Sequence, residues 1–262
     1  MAWSSDEKGG GSILAALAME EANSEDPERY RLWHRERIRR TAALVRKYVR
    51  VGGPVLDVGL GPLTIEFETA LSGYPLSVLD PAEGTGLLPQ TSKTKIIRGS
   101  LLDPILHLPS SAFQAIVVAE VMEHLPECPE HVLGRLLPAL SPEGVLIVTT
   151  PNQARWLNRI RLLLGVNIQE RPRNLFHKEW MGFGHIREYT LQEMSTEFLV
   201  GGLVPLEVGS WSPHPLPRFD WVRRAFERFG PASMDQVIYG VYHRSGLSFG
   251  IMEIRRQRNC GP

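Results

Sequence analysis

The fold is decided by one stretch, Val55-Leu56-Asp57-Val58-Gly59-Leu60-Gly61-Pro62-Leu63-Thr64. A short apolar run ends on an acid, Asp57, and two closely spaced glycines follow before a segment of helical pattern. Glycine lets the main chain turn sharply and lets a ligand approach the backbone with no Cβ in the way. The stretch therefore predicts strand, tight turn, helix. Apolar runs recur on either side of it in a regular rhythm.

Downstream lie Leu76-Ser77-Val78-Leu79 into Asp80, Lys95-Ile96-Ile97, Ala115-Ile116-Val117-Val118 and Val145-Leu146-Ile147-Val148, with Leu203 to Val208 and Leu247 to Ile254 further on. Short β-branched runs separated by helical or turn segments are the mark of βαβ units and of a parallel sheet covered on both faces. Upstream, from about Pro27 to Arg50, apolar residues recur every three to four positions among charges and predict an amphipathic helix. Residues 1–26 read as a flexible tail and 27–262 as one domain. The rhythm breaks at 151–184, where a basic-apolar stretch (Arg155 to Leu164) leads into a loop rich in Pro, His and Gly. This segment is expected to be a lid over the carboxyl edge of the sheet, where ligands of open α/β sheets bind. Further helices are expected from near Thr190 and over Trp221 to Phe229, and residues 211–217 form a Pro- and aromatic-rich connection.

Composition narrows the partners. The 262 residues are 43% hydrophobic, enough for a full core, and carry 29 basic and 29 acidic side chains. A nucleic-acid binder draws most of its affinity from phosphate neutralisation and shows a basic excess, so no nucleic-acid partner is expected. Two cysteines, Cys128 and Cys260, make neither a disulfide framework nor a zinc ligand set. Met1 to Ser12 lack an apolar stretch, and no window is long and apolar enough to be a membrane span. The expectation is a cytoplasmic protein; oligomeric state is left open.

Asp80 closes its run 23 residues after Asp57, where a carboxylate can accept hydrogen bonds from both ribose hydroxyls of a nucleotide. A dinucleotide site requires a third glycine at position 64, which is Thr64. The stretch instead resembles the Asp-x-Gly-x-Gly motif of class I methyltransferases that use S-adenosylmethionine (SAM), and the Ser141-Pro142-Glu143-Gly144 turn before the fifth run accords with it. The resemblance implies a Rossmann-like, seven-stranded, mostly parallel α/β sheet with helices on both faces. It places Asp57, Gly59, Gly61 and Asp80 on the methionine and ribose portions of SAM, and Ser100, Leu101 and Glu120 among the further cofactor contacts. It departs from the pattern at Leu63, where a third loop glycine is usual, and at Ser100, where an acid is common. The family's N-terminal helix caps the cofactor, which implies that role for Tyr30, Trp33, His34 and Arg37.

The fourth run is followed by Ala119-Glu120-Val121-Met122-Glu123-His124-Leu125. If a helix opens here, Glu120, Glu123 and His124 share one face. Together with the distant His185 they make an oxygen and nitrogen set suited to Mg²⁺, Mn²⁺, Fe²⁺ or Zn²⁺. The Glu-x-x-Glu-His stretch resembles the small-RNA 2′-O-methyltransferases and the ubiquinone-pathway O-methyltransferases. The runs Thr149-Thr150-Pro151-Asn152 and His185 to Thr190 resemble bacterial methyltransferases tied to sugars and secondary metabolites. With RNA disfavoured by charge, the expected activity is methyl transfer to a hydroxyl of a saccharide, polyol or phenol. His124, His185 and Glu123 are the expected catalytic residues, working either around a metal or with a histidine as direct base. A nicotinamide-dependent oxidoreductase and a non-catalytic methyltransferase-like binding protein remain the alternatives.

Overall fold

The computed structural model describes residues 27–61, 63–81, 88, 91–169, 184–200, 203–211 and 237–244. The chain opens with helix α1 (Pro27–Tyr48), then strand β1 (Val55–Val58), helix α2 (Thr64–Ala70), and strands β2 (Leu76–Asp80), β3 (Lys95–Arg98) and β4 (Phe113–Ala119). A 3-10 turn (Met122–His124) leads to α3 (Pro129–Leu136), β5 (Leu140–Pro151), α4 (Trp156–Leu163), α5 (Leu191–Val200), β6 (Leu203–Trp211) and β7 (Val237–Arg244).

The seven strands form one sheet in the order β3-β2-β1-β4-β5-β7-β6. Strands β1 to β5 pair in parallel, while β7 runs antiparallel to both β5 and β6. The order reverses between β1 and β4, so the carboxyl ends of these neighbours flank the crevice where ligands of such sheets bind. The strands read as near-continuous apolar runs because both faces are covered. Alternation sends Leu56, Val58, Ile116, Val118, Leu146 and Val148 to one face, against Val132, Leu133 and Leu136 of α3 and Met194 and Phe198 of α5. Val55, Ala115, Val117, Val145 and Ile147 face the other side, against Ala42 and Val45 of α1, Val49 just after it and Phe67 of α2. Asp57 shares the parity of Val55 and so points toward α1, the first requirement of the site below.

Two elements differ from the sequence reading. The expected run at Leu247–Ile254 lies outside the described residues, and the seventh strand is Val237–Arg244, Val-Ile-Tyr-Gly-Val-Tyr-His-Arg. Glycine, histidine and arginine dilute its apolar signal, yet the glycine is required: a Cβ on Gly240 would collide with the ring of Tyr242, which is fully buried. The segment after β4 is also not an α-helix. Glu120 has a φ of 56° and the turn that follows is 3-10, so Glu120 and Glu123 do not share a helical face. Residues 1–26, 170–183, 212–217 and 221–229 lie outside the described set, so of the segment 151–184 expected to be a lid the structure describes 151–169 and 184. No described helix is long and apolar enough to cross a membrane.

Candidate active site

The turn after β1 is held by its own backbone and by Asp80. Gly59 has a φ of 98°, a conformation that side chains resist, and its N–H donates to the carbonyl of Leu79 at 2.9 Å. The next amide, Leu60 N–H, donates to Oδ2 of Asp80 at 2.7 Å. Asp80 therefore fastens the glycine turn to the end of β2. Thr64, at the position where a dinucleotide site would need glycine, accepts the Gly61 N–H on its Oγ1 at 3.1 Å.

This turn forms one wall of a cavity of about 200 Å³. Asp57, Gly59, Gly61 and Glu120 line it together with Arg37, Thr41 and Phe67. Arg37, on α1, is buried among the site's polar groups. Its Nη1 lies 3.4 Å from Oε2 of Glu120. The other oxygen, Oε1 of Glu120, accepts from the Thr149 hydroxyl at 2.9 Å. A left-handed backbone costs a non-glycine residue about 1–2 kcal/mol, and at Glu120 it turns the carboxylate into the cavity rather than along a helix. Burial pushes the Asp57 carboxyl up to about 8, against the Arg37 charge and a hydrogen bond from the Val58 N–H. The cavity thus presents one guanidinium and two carboxyl groups on a low-dielectric wall.

Ser100 and Leu101 line no part of this cavity. The Ser100 hydroxyl accepts the Leu102 N–H at 3.1 Å and closes the turn after β3, and Leu101 is buried in the core. Of the N-terminal helix residues, Arg37 reaches the cavity, and the side chains of Tyr30 and Trp33 lie outside the description.

One turn past Glu120, a second group assembles. Glu123 is fully buried; its Oε2 accepts from the Thr150 hydroxyl at 3.1 Å, and its Oε1 has no hydrogen-bond partner. Nε2 of His124 lies 3.9 Å from that same Oε1. The rings of His124 and His185 meet edge to face with centroids 4.8 Å apart. One ligand atom from each of Glu123, His124 and His185 falls within 4.8 Å of the others. Glu120 stands outside this cluster, its oxygens committed to Arg37 and Thr149, so the four-residue set expected from sequence reduces to three.

His185 is brought here by a strap of backbone bonds. The N–H groups of Ile186 and Arg187 donate to the Glu123 carbonyl at 2.8 and 3.1 Å, and Gln153 N–H donates to the Tyr189 carbonyl at 3.0 Å. The strap then enters α5 through a reciprocal cap. Glu193 N–H donates to the Thr190 hydroxyl at 3.2 Å, and Thr190 N–H to the Glu193 carboxylate at 2.9 Å. Within the strap, Nδ1 of His185 lies 3.2 Å from Oε1 of Glu188, whose Oε2 accepts from Arg155 at 2.7 Å. Burial acts to raise the Glu188 carboxyl, but the His185 hydrogen bond and the Arg155 charge outweigh it and hold the group below the usual range. Sequence reading passed over Glu188 and Arg155 as chemistry. The available signal was an acid three residues after a singled-out histidine.

A family model described as a methyltransferase domain matches residues 30–204. The chain belongs to the methyltransferase-domain family. Solved structures share its fold at low identity. N-methyltransferase NodS from Bradyrhizobium japonicum, solved with S-adenosylhomocysteine (SAH), is similar at a TM-score of 0.53 and 16% identity, covering 87% of this chain and 96% of that one. The 1,6-didemethyltoxoflavin-N1-methyltransferase of Burkholderia thailandensis, also with SAH, gives 0.52 and 15%, covering 93% and 94%. The [4+2]-cyclase SpnF gives 0.52 and 16%, covering 79% and 81%. No curated protein shows significant similarity to the sequence. The methyltransferase fold expected for the chain, a seven-stranded, mostly parallel α/β sheet, is therefore observed.

Proposed function

We propose that the chain is a SAM-dependent methyltransferase that transfers the methyl group to a hydroxyl of a small acceptor such as a saccharide, polyol or phenol. The observation that carries this reading is the adjacency of two differently equipped groups. A cavity with a guanidinium and two carboxyls lies one turn from a buried carboxyl flanked by two imidazoles.

The cavity suits an amino-acid nucleoside. Arg37 offers a cation to the carboxylate of SAM, Glu120 offers negative charge to its ammonium and sulfonium, and Asp57 adds to it once the bound cation draws off its proton. Gly59 and Gly61 present main chain with no side chain to exclude the ligand. SAM supplies an electrophilic methyl carbon, transferred as its bond to sulfur breaks and SAH departs. The chain must then orient the acceptor oxygen and take its proton. His185 and His124 provide the bases, and Glu123 faces the cation formed when an imidazole accepts that proton. A buried carboxyl oxygen without a partner is costly, and at Glu123 the imidazolium N–H formed by that proton transfer provides the missing donor.

The same three donors fit a divalent cation. Glu123 Oε1, His124 and His185 would hold it, and such an ion lowers the pKa of a bound hydroxyl. NodS and the toxoflavin enzyme carry N-methyltransferase names, which favours an amine acceptor as the second reading. The test is methyl transfer from labelled SAM to a panel of glycosides, phenols and amines, with and without chelator. Labelled ether products that disappear in His185→Ala support the proposal. Label in amines alone replaces hydroxyl by nitrogen. No transfer to any acceptor, with SAH binding intact, leaves a binding protein or a different chemistry.

A further inference from the structure

We propose that Glu188, anchored by Arg155, is a positioning residue that fixes the tautomer and ring orientation of His185, with Nδ1 carrying the proton and Nε2 left as the acceptor. Its catalytic consequence rests on the reading of His185 as a proton acceptor or metal ligand; its structural content does not.

An ionised carboxylate can only accept hydrogen bonds, and an imidazole uses one nitrogen as donor and the other as acceptor. Oε1 of Glu188 lies 3.2 Å from Nδ1 of His185, so the hydrogen between them belongs to the ring. Arg155 holds the carboxylate in its charged form through its 2.7 Å contact with Oε2. Glu188 and Arg155 side chains are only 13% and 12% exposed, so water competes little for either. Arg155 is itself placed by its position at the start of α4 and by donation to the Asn152 carbonyl at 3.3 Å. Asn152 bridges Tyr189 on the same strap. The anchor therefore comes from the β5–α4 connection and the histidine from the strap before α5, and the two segments meet through Glu188. Without it, the ring could rotate about its side-chain bonds and exchange tautomers. A neutral imidazole is useful as base or ligand only if the nitrogen facing the substrate lacks the proton.

The groups around His185 set how the result is read. Glu123 and His124 approach from the turn after β4, Glu188, Arg187 and Tyr189 from its own strap, and Arg155 from the start of α4. Long-range proton–nitrogen correlation spectra of the ¹⁵N-labelled full chain in excess chelator, assigned with His185→Gln, report directly which nitrogen is protonated. The expected wild-type result is a protonated Nδ1 and a bare Nε2. In Glu188→Ala the signature moves to Nε2–H or to a mixture, and Arg155→Met moves it the same way to a smaller extent. Glu188→Asp, which keeps the charge, restores much of the wild-type pattern. Loss of such an orienting partner costs about 10–100-fold in activity or metal affinity; here it is expected in kcat, with KM for SAM within about twofold. Wild-type His185 protonated on Nε2, or an unchanged signature in Glu188→Ala, overturns the proposal. Should Glu188→Ala not fold, Glu188→Met, of similar length and without a strong acceptor, carries the measurement under the same criteria. A moved tautomer with unchanged kcat supports the positioning assignment and removes His185 from the catalytic reading instead.

Discussion

Replacing Asp57 with asparagine keeps the shape of the site and deletes an ionisable group from its wall. The unfolded chain releases this proton near 3.8, whereas the folded chain keeps it to about 8. Between those values the native state holds a proton that the unfolded state has lost, so Asp57 makes wild-type stability fall as pH rises through this window. The slope is at most about 1.4 kcal/mol per pH unit, and four units set a ceiling of about 6 kcal/mol. Local relaxation and water entry reduce the realised value, and at least ~2 kcal/mol is expected between pH 5 and pH 9. Urea unfolding of both proteins at pH 5, 7 and 9 measures it. Asp57→Asn matches wild type at pH 5 and exceeds it at pH 9. A constant offset across the three pH values would refute the reasoning. The same carboxyl links proton to cofactor: a sulfonium placed nearby favours the ionised form, so SAM binding tightens from pH 6 to pH 8 and releases a proton. Neutral-sulfur SAH shows the weaker dependence, which titration calorimetry in two buffers resolves.

Gly59→Ala forces a side chain into a φ of 98° and is expected to cost about 1–3 kcal/mol of stability, with weaker SAH binding, read by thermal shift and calorimetry. Asp80→Ala removes the acceptor for Leu60 N–H; a loss of about 1–3 kcal/mol is expected in both unfolding free energy and SAM affinity. Arg37→Met, with a similar stem and no charge, weakens SAM and SAH binding together by about 1.5–3 kcal/mol, since both ligands keep the carboxylate that it would meet. If the Glu123, His124 and His185 cluster holds a required ion, exhaustive chelation abolishes methyl transfer and Mn²⁺ or Zn²⁺ restores it. Full activity in chelator assigns proton removal to the histidines alone.

The β1 turn, the acid ending β2 and the strand rhythm were legible because they follow from local rules: short buried runs, a turn needing glycine, and a fixed interval to the next strand. Long-range placement was not. The expectation that Glu120, Glu123 and His124 share a helical face assumed regular backbone, and the positive φ of Glu120 breaks that assumption. Glutamate gives no local sign of adopting it; the conformation persists because Thr149 and Arg37 hold the side chain from other elements. Glu188 and Arg155 pair across 33 residues, a separation at which sequence spacing carries no geometric information. Val237–Arg244 carries a weak strand signal because Gly240, which leaves room for Tyr242, and the polar end at His243 and Arg244 interrupt its apolar pattern.

The most direct measurement is a calorimetric titration of the 262-residue chain with SAH, with NAD as control, repeated on Asp57→Ala/Arg37→Ala. One-to-one SAH binding that vanishes in the double variant, with no heat from NAD, is the result expected if the β1 turn and α1 together receive the methyl donor. Undiminished SAH affinity in that variant, or binding of NAD in place of SAH, would contradict it.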